Sequence, residues 1–259
     1  MRVAALFTDY DGTIAPEDAN RDDSKVPPGV ERRLQEISRL VPVAVITSKD
    51  LEFVRPRTEA FATAWACAGG IETTLAAGAT HVSKGVRDMR TALIEVRSIL
   101  PEGVLLEEKR SCDGRILGFC VDWTRGSVAV DERFVGKLVA LLRGRGAYVD
   151  RPPQRTYLDA FAAVPDKGVA LARLKELLRI DGPILYMGDS TLDNAAFVKS
   201  DVAVGVHHGQ STDQLQCNFL IGYDSVERLL TSLMNDNLEF SSRHYWVIGK
   251  TEATCSEPA

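Results

Sequence analysis

Two carboxylates, one residue apart, stand directly after an apolar run. The stretch reads Leu6-Phe7-Thr8-Asp9-Tyr10-Asp11-Gly12-Thr13, and the run it terminates spans Val3 to Phe7. Anions this close repel unless a cation or a shared proton comes between them. Oxygen donors without soft partners suit Mg²⁺, which takes one or two protein carboxylates and keeps positions for water and substrate phosphate. Gly12 lets the chain turn sharply, and Thr13 adds a hydroxyl. The plainer alternative is a surface Asp-Gly turn with Asp9 as a helix cap. The stretch alone leaves both readings open.

The elements that must position these residues follow from apolar patterning. An apolar run of this length, bounded by a turn, reads as a buried strand. In an open α/β sheet, ligands bind beyond the carboxyl ends of the strands. Past a polar loop from Glu17 to Lys25, Pro27-Pro28 marks a helix start, with Val30, Leu34, Ile37 and Ser38 at helical spacing. Val43 to Ile46 forms a second strand, ending at Thr47-Ser48-Lys49-Asp50. A right-handed parallel crossover then sets Thr47 beside Asp9. Ala64 to Ala68 is a third strand, running into Gly69-Gly70-Ile71-Glu72.

From about Thr80 the pattern changes. A helix over 86–100 is followed by strands over 104–108 and 116–123, joined by the turn Ser111-Cys112-Asp113-Gly114. A helix between Asp131 and Arg143 and a short strand over 148–150 come next. This reads as an inserted α+β unit. Tyr157 to Phe161 is expected to resume the first sheet. Asp166-Lys167-Gly168 then opens a helix, and Ile184 to Met187 is a strand ending at Gly188-Asp189-Ser190-Thr191-Leu192-Asp193. A last strand over 202–206 ends near His207-His208-Gly209. The expected organisation is a Rossmann-like α/β core over 1–79 and 156–240, an α+β cap over 80–155, and a loose tail over 241–259.

The chain of 259 residues can bury a sizeable core, and 45% hydrophobic with 26% charged residues is ordinary for a globular protein. The balance of 31 Lys+Arg against 36 Asp+Glu carries no basic signature for nucleic acid. No apolar run reaches the roughly 18 residues of a membrane span, and the run before Asp9 is too short for a signal peptide. Cys67, Cys112, Cys120, Cys217 and Cys255 are odd in number and form no CxxC pair, which argues for free thiols in a reducing cytoplasm. His207 and His208, being adjacent, point to opposite faces of an extended segment and are expected in a surface loop, with one of them lining the site as the alternative. Trp65, Trp123 and Trp246 read as packing residues, and His244-Tyr245-Trp246 as a docking segment for the tail.

Four signals stand in order: Asp9-x-Asp11-Gly12-Thr13, Thr47 after a strand, Lys167 at a helix start, and Gly188-Asp189-x-x-x-Asp193 after a strand. In this order and context the chain resembles the haloacid dehalogenase superfamily of phosphatases over all but its tail. The resemblance implies Asp9 as a nucleophile forming an aspartyl-phosphate, and Asp11 as acid for the leaving alcohol and base for water. Thr47 and Lys167 would hold the phosphate oxygens. Mg²⁺ would be held by Asp9, the backbone carbonyl of Asp11, and Asp189, with Asp193 as a further ligand or a support for one.

The segment Asp9 to Pro16 is similar to the trehalose-6-phosphate phosphatase form, as are Gly70-Ile71-Glu72 and Glu107-Glu108-Lys109. Gly69, Ser190 and Thr47-Ser48-Lys49 depart from that form, the last two toward sucrose-phosphate or mannosyl-3-phosphoglycerate phosphatases. Thr13, Ser48, Gly70, Glu72, Glu107, Lys109 and Ser190 are the expected substrate contacts. The partner implied is a small sugar phosphate, with no nucleic acid or membrane and a monomer or small homo-oligomer. The alternatives are a broad-specificity or phosphoglycolate-type phosphatase, and a catalytically silent sugar-phosphate-binding regulator.

Overall fold

A computed structural model describes residues 1–17, 21, 23–124, 130–152, 155–208 and 214–241. In chain order the elements are β1 (Ala5–Thr8), α1 (Pro28–Ser38), β2 (Val43–Ile46), α2 (Leu51–Thr58), β3 (Ala64–Cys67), β4 (Glu72–Leu75) and β5 (Thr80–Val82). Next come α3 (Arg90–Ile99), β6 (Leu105–Arg110), β7 (Ile116–Asp122), α4 (Glu132–Gly144), β8 (Tyr148–Asp150) and β9 (Tyr157–Phe161). The last are α5 (Lys167–Leu177), β10 (Ile184–Gly188), α6 (Asn194–Lys199), β11 (Val202–His207), β12 (Phe219–Gly222) and α7 (Val226–Asn235).

The described residues form two sheets. The larger has the order β12-β11-β10-β1-β2-β3-β4-β5, parallel from β12 to β3 and antiparallel beyond. β1, β2, β3 and β10 are buried along their whole length. Helices cover both faces, which is why these strands read as unbroken apolar runs. On one face Val30 and Leu34 of α1, Phe53 of α2 and Leu230 of α7 pack on Leu6, Val43 and Val45. On the other, Leu171 and Leu174 of α5 and Phe197 of α6 pack on Phe7, Ala44 and Tyr186. β1 lies between β10 and β2, so Asp9, Thr47 and Asp189 all emerge at the same edge.

The smaller sheet is antiparallel, in the order β6-β7-β9-β8. α3 and α4 cover one face, where Leu93, Val96, Val135, Leu138 and Leu142 meet Phe119, Val121 and Leu158. Strand alternation puts Glu107, Cys120, Asp159 and Asp150 side by side on the opposite face, because Glu107 pairs with Cys120, Cys120 with Asp159, and Asp159 with Asp150.

Two expected boundaries move. Thr80–Val82 is the edge of the large sheet, paired with β4, and does not open the inserted unit. Tyr157–Phe161 does not resume the core sheet; it lies between β7 and β8 in the smaller one. A short apolar strand carries no mark of which sheet it joins, so only pairing decides. The helix expected from Val86 starts at Arg90, because the Asp88 carboxylate accepts the N–H groups of Arg90 and Ile116 and holds the preceding segment open. Among the described residues no helix is long and apolar enough to cross a membrane. His244, Tyr245, Trp246, Cys255, Gly209 and residues 242–259 of the expected tail lie outside the described residues.

Candidate active site

β1 delivers Asp9 into a nearly closed setting, 7% exposed. Its Oδ1 accepts the N–H of Tyr10 at 2.7 Å, and its Oδ2 lies 2.7 Å from Lys167 Nζ. Lys167 reaches this point from the first turn of α5, whose entry is set by the turn after β3. There Ala68, Gly69 and Gly70 all take positive φ, at 49°, 68° and 96°. A Cβ at Gly69 would come within 2.3 Å of Pro165 Cβ, and one at Gly70 within 2.7 Å of Ala170 Cβ. Asp166 donates its N–H to the Gly69 carbonyl at 2.9 Å. Gly70, expected among the substrate contacts, lets α5 pack close to the turn that sets the entry of Lys167.

A cation at a helix start opposes the helix dipole and needs anions nearby. Lys167 has two, since its Nζ is also 2.7 Å from Asp193 Oδ1. Burial by itself would lower the Lys167 ammonium, but Asp193 and Asp9 outweigh it and raise it above the ordinary lysine value. Asp193 is fully buried and saturated: its Oδ1 also accepts the Tyr186 hydroxyl, and its Oδ2 accepts the Ser190 N–H and Oγ at 3.0 Å each and the Asp189 N–H at 3.2 Å. Ser190, expected on the substrate, thus forms a capping box with Asp193.

Asp189 stands beside Asp9 and has no ion-pair partner among the described residues. The Thr13 hydroxyl approaches its Oδ1 at 3.5 Å. Burial, then the Asp9 and Asp193 charges, push the Asp189 carboxyl well above its usual range. Burial likewise pushes Asp9 up to about 7, with Lys167 pulling the other way. One oxygen from each of Asp9, Asp189 and Asp193 lies within 4.8 Å of the others. Gly12 makes this approach possible: at φ 71° its missing Cβ would sit 2.1 Å from Asp189 Oδ2.

The Asp11 side chain does not join this cluster. Its Oδ1 accepts the Ser24 hydroxyl at 3.1 Å, and its Oδ2 lies 3.7 Å from Lys49 Nζ, on the side facing the smaller sheet. Thr47 is buried, and its hydroxyl accepts the Lys49 N–H at 3.1 Å. Ser48 sits half-buried in the same turn.

Glu107 and Lys109 do face the site, each already in an ion pair. Glu107 Oε1 lies 3.3 Å from Lys49 Nζ and also pairs with Arg21. Lys109 Nζ is 2.7 Å from Asp159 Oδ1 and 5.1 Å from the centre of the Phe161 ring. Burial disfavours both charges, but Lys49 and Lys109 hold the Glu107 carboxyl below its usual value, and Asp159 raises the Lys109 ammonium. Glu72 lies away from these groups. It is fully buried and accepts the Cys112 N–H at 2.9 Å.

The sequence did not single out Lys49, Asp159 or Tyr186 as site residues, and of the two adjacent histidines it is His208 that reaches the site. Asp159 carried a signal, being the one acid inside the apolar run Tyr157–Phe161. His208 is half-buried, with Nε2 2.6 Å from the Gly12 carbonyl oxygen and its ring 5.1 Å from that of Tyr223, so it braces the Asp11-Gly12 turn. His207 Nε2 is buried and makes no hydrogen bond among the described residues.

No protein-family model matches the chain. It is similar to the trehalose-phosphate phosphatase of Mycolicibacterium paratuberculosis, at 30% identity over 260 aligned positions, covering 92% of this chain and 63% of that protein. The chain therefore spans less than two thirds of that curated relative. Among solved structures, one of a trehalose-6-phosphate phosphatase related protein matches with a TM-score of 0.72 at 15% identity, covering 90% of this chain and 98% of the other. A phosphatase of the haloalkanoate (HAD) superfamily from Bacteroides thetaiotaomicron matches with a TM-score of 0.64 at 15% identity, covering 92% and 96%. The chain thus shares the fold of these solved structures and is similar in sequence to trehalose-phosphate phosphatases.

Proposed function

We propose that the chain is a Mg²⁺-dependent phosphatase that hydrolyses a sugar phosphate monoester, trehalose 6-phosphate or a similar disaccharide phosphate, through an aspartyl-phosphate. The observation carrying this reading is the Asp9–Lys167–Asp193 arrangement with Asp189 beside it. The donor set fits a hard divalent cation. Among the described residues, the carboxylates of buried Asp9, half-buried Asp189 and buried Asp193 converge, the Asp9 charge opposes ionisation of Asp189, and Asp189 forms no ion pair of its own. Asp9 and Asp189 would hold the ion together with the Asp11 carbonyl, while Asp193, saturated by Lys167, Tyr186 and Ser190, would aim Asp189 and Lys167. When bound, the ion neutralises charge on the phosphoryl oxygens.

This chain's residues do the rest. Asp9 attacks phosphorus in line. Lys167 sits where it can hold a phosphoryl oxygen and keep Asp9 ionised, with Thr47 donating its hydroxyl from the neighbouring strand end. Asp11, pointing away from the Asp9 cluster toward Lys49 and β6, gives its proton to the leaving alkoxide. The same carboxylate then takes a proton from the water that cleaves the aspartyl-phosphate. The smaller sheet over this mouth acts as the cap, with Glu107, Lys109 and Asp159 reading the sugar. The test is phosphate release from a panel of sugar phosphates with Mg²⁺, for wild type and Asp9→Asn. Trehalose 6-phosphate is expected to lead the panel and Asp9→Asn to fall by several orders of magnitude. A variant keeping more than about a tenth of wild-type kcat would exclude Asp9 as nucleophile.

A further inference from the structure

β6 is an edge strand: β7 pairs with one side, and no strand pairs with the other among the described residues. Free edge N–H groups must be satisfied or covered. A register shift between Lys109 and Arg110 re-aims the chain at this point. The N–H of Arg110 then donates to Asp50 Oδ2 at 3.1 Å, and the N–H of Cys112, just beyond the strand, to Glu72 Oε1 at 2.9 Å. Both acceptors belong to the large-sheet unit, and both are buried, 3% and 0% exposed.

Glu72 is the harder to explain as packing. It stands fully buried at the start of β4, and its Oε2 is buried without a hydrogen bond among the described residues. Burying a carboxylate with so few donors is costly. Among the described residues the donors it engages both belong to Cys112 of the β6–β7 hairpin, the backbone N–H and beside it the thiol. Asp50 has a second task, since its Oδ1 caps α2 by accepting the Phe53 N–H at 3.0 Å. Glu107 and Lys109 lie on the same strand, just before the held segment, and Glu107 reaches Lys49 beside Asp11.

We infer that Asp50 and Glu72 are positioning residues, which clamp the Arg110–Cys112 end of β6 through its backbone and so set where Glu107 and Lys109 stand over the site. This inference rests on the phosphatase reading in taking β6 as the strand that meets the leaving sugar. The clamp acts on β6 and on no reacting atom, so its effect is on specificity.

The donor side gives the cleanest test. Cys112 is the second residue of the turn Ser111–Gly114, closed by the Gly114 N–H on the Ser111 carbonyl at 2.9 Å, a position that favours proline. Cys112→Pro deletes the donated N–H and leaves Glu72 in place, and Cys112→Ala, which loses the thiol alone, is the control and should exchange as slowly as wild type. In Cys112→Pro, hydrogen exchange over residues 105–116, read by mass spectrometry, is expected to quicken about tenfold, the scale of one lost hydrogen bond to a charged group. Glu72→Ala should do the same, and Glu72→Gln, which keeps an acceptor oxygen, should restore slow exchange. In Cys112→Pro, KM for trehalose 6-phosphate should rise about tenfold while p-nitrophenyl phosphate turnover stays at wild-type level. Unchanged exchange in Cys112→Pro, or equal loss on both substrates, overturns the clamp. If Glu72→Ala does not fold, the proline variant decides alone. A wild type that releases no phosphate from any sugar phosphate counts against the phosphatase reading, and the exchange data still decide the clamp.

Discussion

Lys167 Nζ lies 2.7 Å from both Asp9 Oδ2 and Asp193 Oδ1, so one buried ammonium ties the strand end of β1 to the turn after β10. Three carboxylates converge here, and Lys167 is the one cation paired with any of them among the described residues.

Removing that cation should therefore cost stability as well as activity. Lys167→Met leaves Asp9 and Asp193 buried with no counter-charge, a loss of about 3 kcal/mol at neutral pH by the usual cost of breaking a buried pair. Lower pH should relieve it, because protonating the stranded carboxylates removes the repulsion. Urea unfolding in EDTA at neutral and acid pH reads both effects. Equal midpoints for variant and wild type at neutral pH would contradict the argument.

Metal dependence and pH dependence should be linked. Burial raises Asp9 from 3.8 to about 7, and Asp189 is also raised. The folded, metal-free protein then holds protons that the unfolded chain has released, so its stability should fall as pH rises from about 4 to about 7. Mg²⁺ needs ionised ligands and displaces those protons, so its stabilising effect should grow over the same range. The Tm gain on adding Mg²⁺ is expected to be several degrees larger near about pH 8 than near about pH 5.5. A gain independent of pH, or one reproduced by a monovalent salt, would mean that the carboxylate cluster holds no divalent ion.

Lys109 and Asp159 form a buried pair on the face of the small sheet turned toward the site. Lys109→Ala should lower kcat/KM on the sugar phosphate by about tenfold to a thousandfold, the range of one or two charge-assisted hydrogen bonds. Turnover of p-nitrophenyl phosphate, which lacks a sugar, should barely change. Because Asp159 is left unpaired, a lower Tm is expected alongside, and kinetics belong well below it. Parallel loss on both substrates would show that this face does not read the sugar.

The placement of the acidic strand ends was legible in the sequence. Apolar runs ending in Asp9, Thr47 and Asp189 marked strands whose carboxyl ends must share one sheet edge, since parallel crossovers allow little else. Lys167 was legible because a cation at a helix start calls for an anion. Tertiary structure decided the rest, and the reason is pairing across distance. Nothing in Tyr157–Phe161 tells which sheet it joins, and that choice brings Asp159 to Lys109. Gly70 and Glu72 sit in a motif near the site, yet one makes room for α5 and the other grips the Cys112 backbone, because their neighbours come from segments about 40 to 100 residues away. Side-chain direction was equally invisible: Asp11 turns from the Asp9 cluster to Ser24 and Lys49, partners that only the folded chain brings beside it.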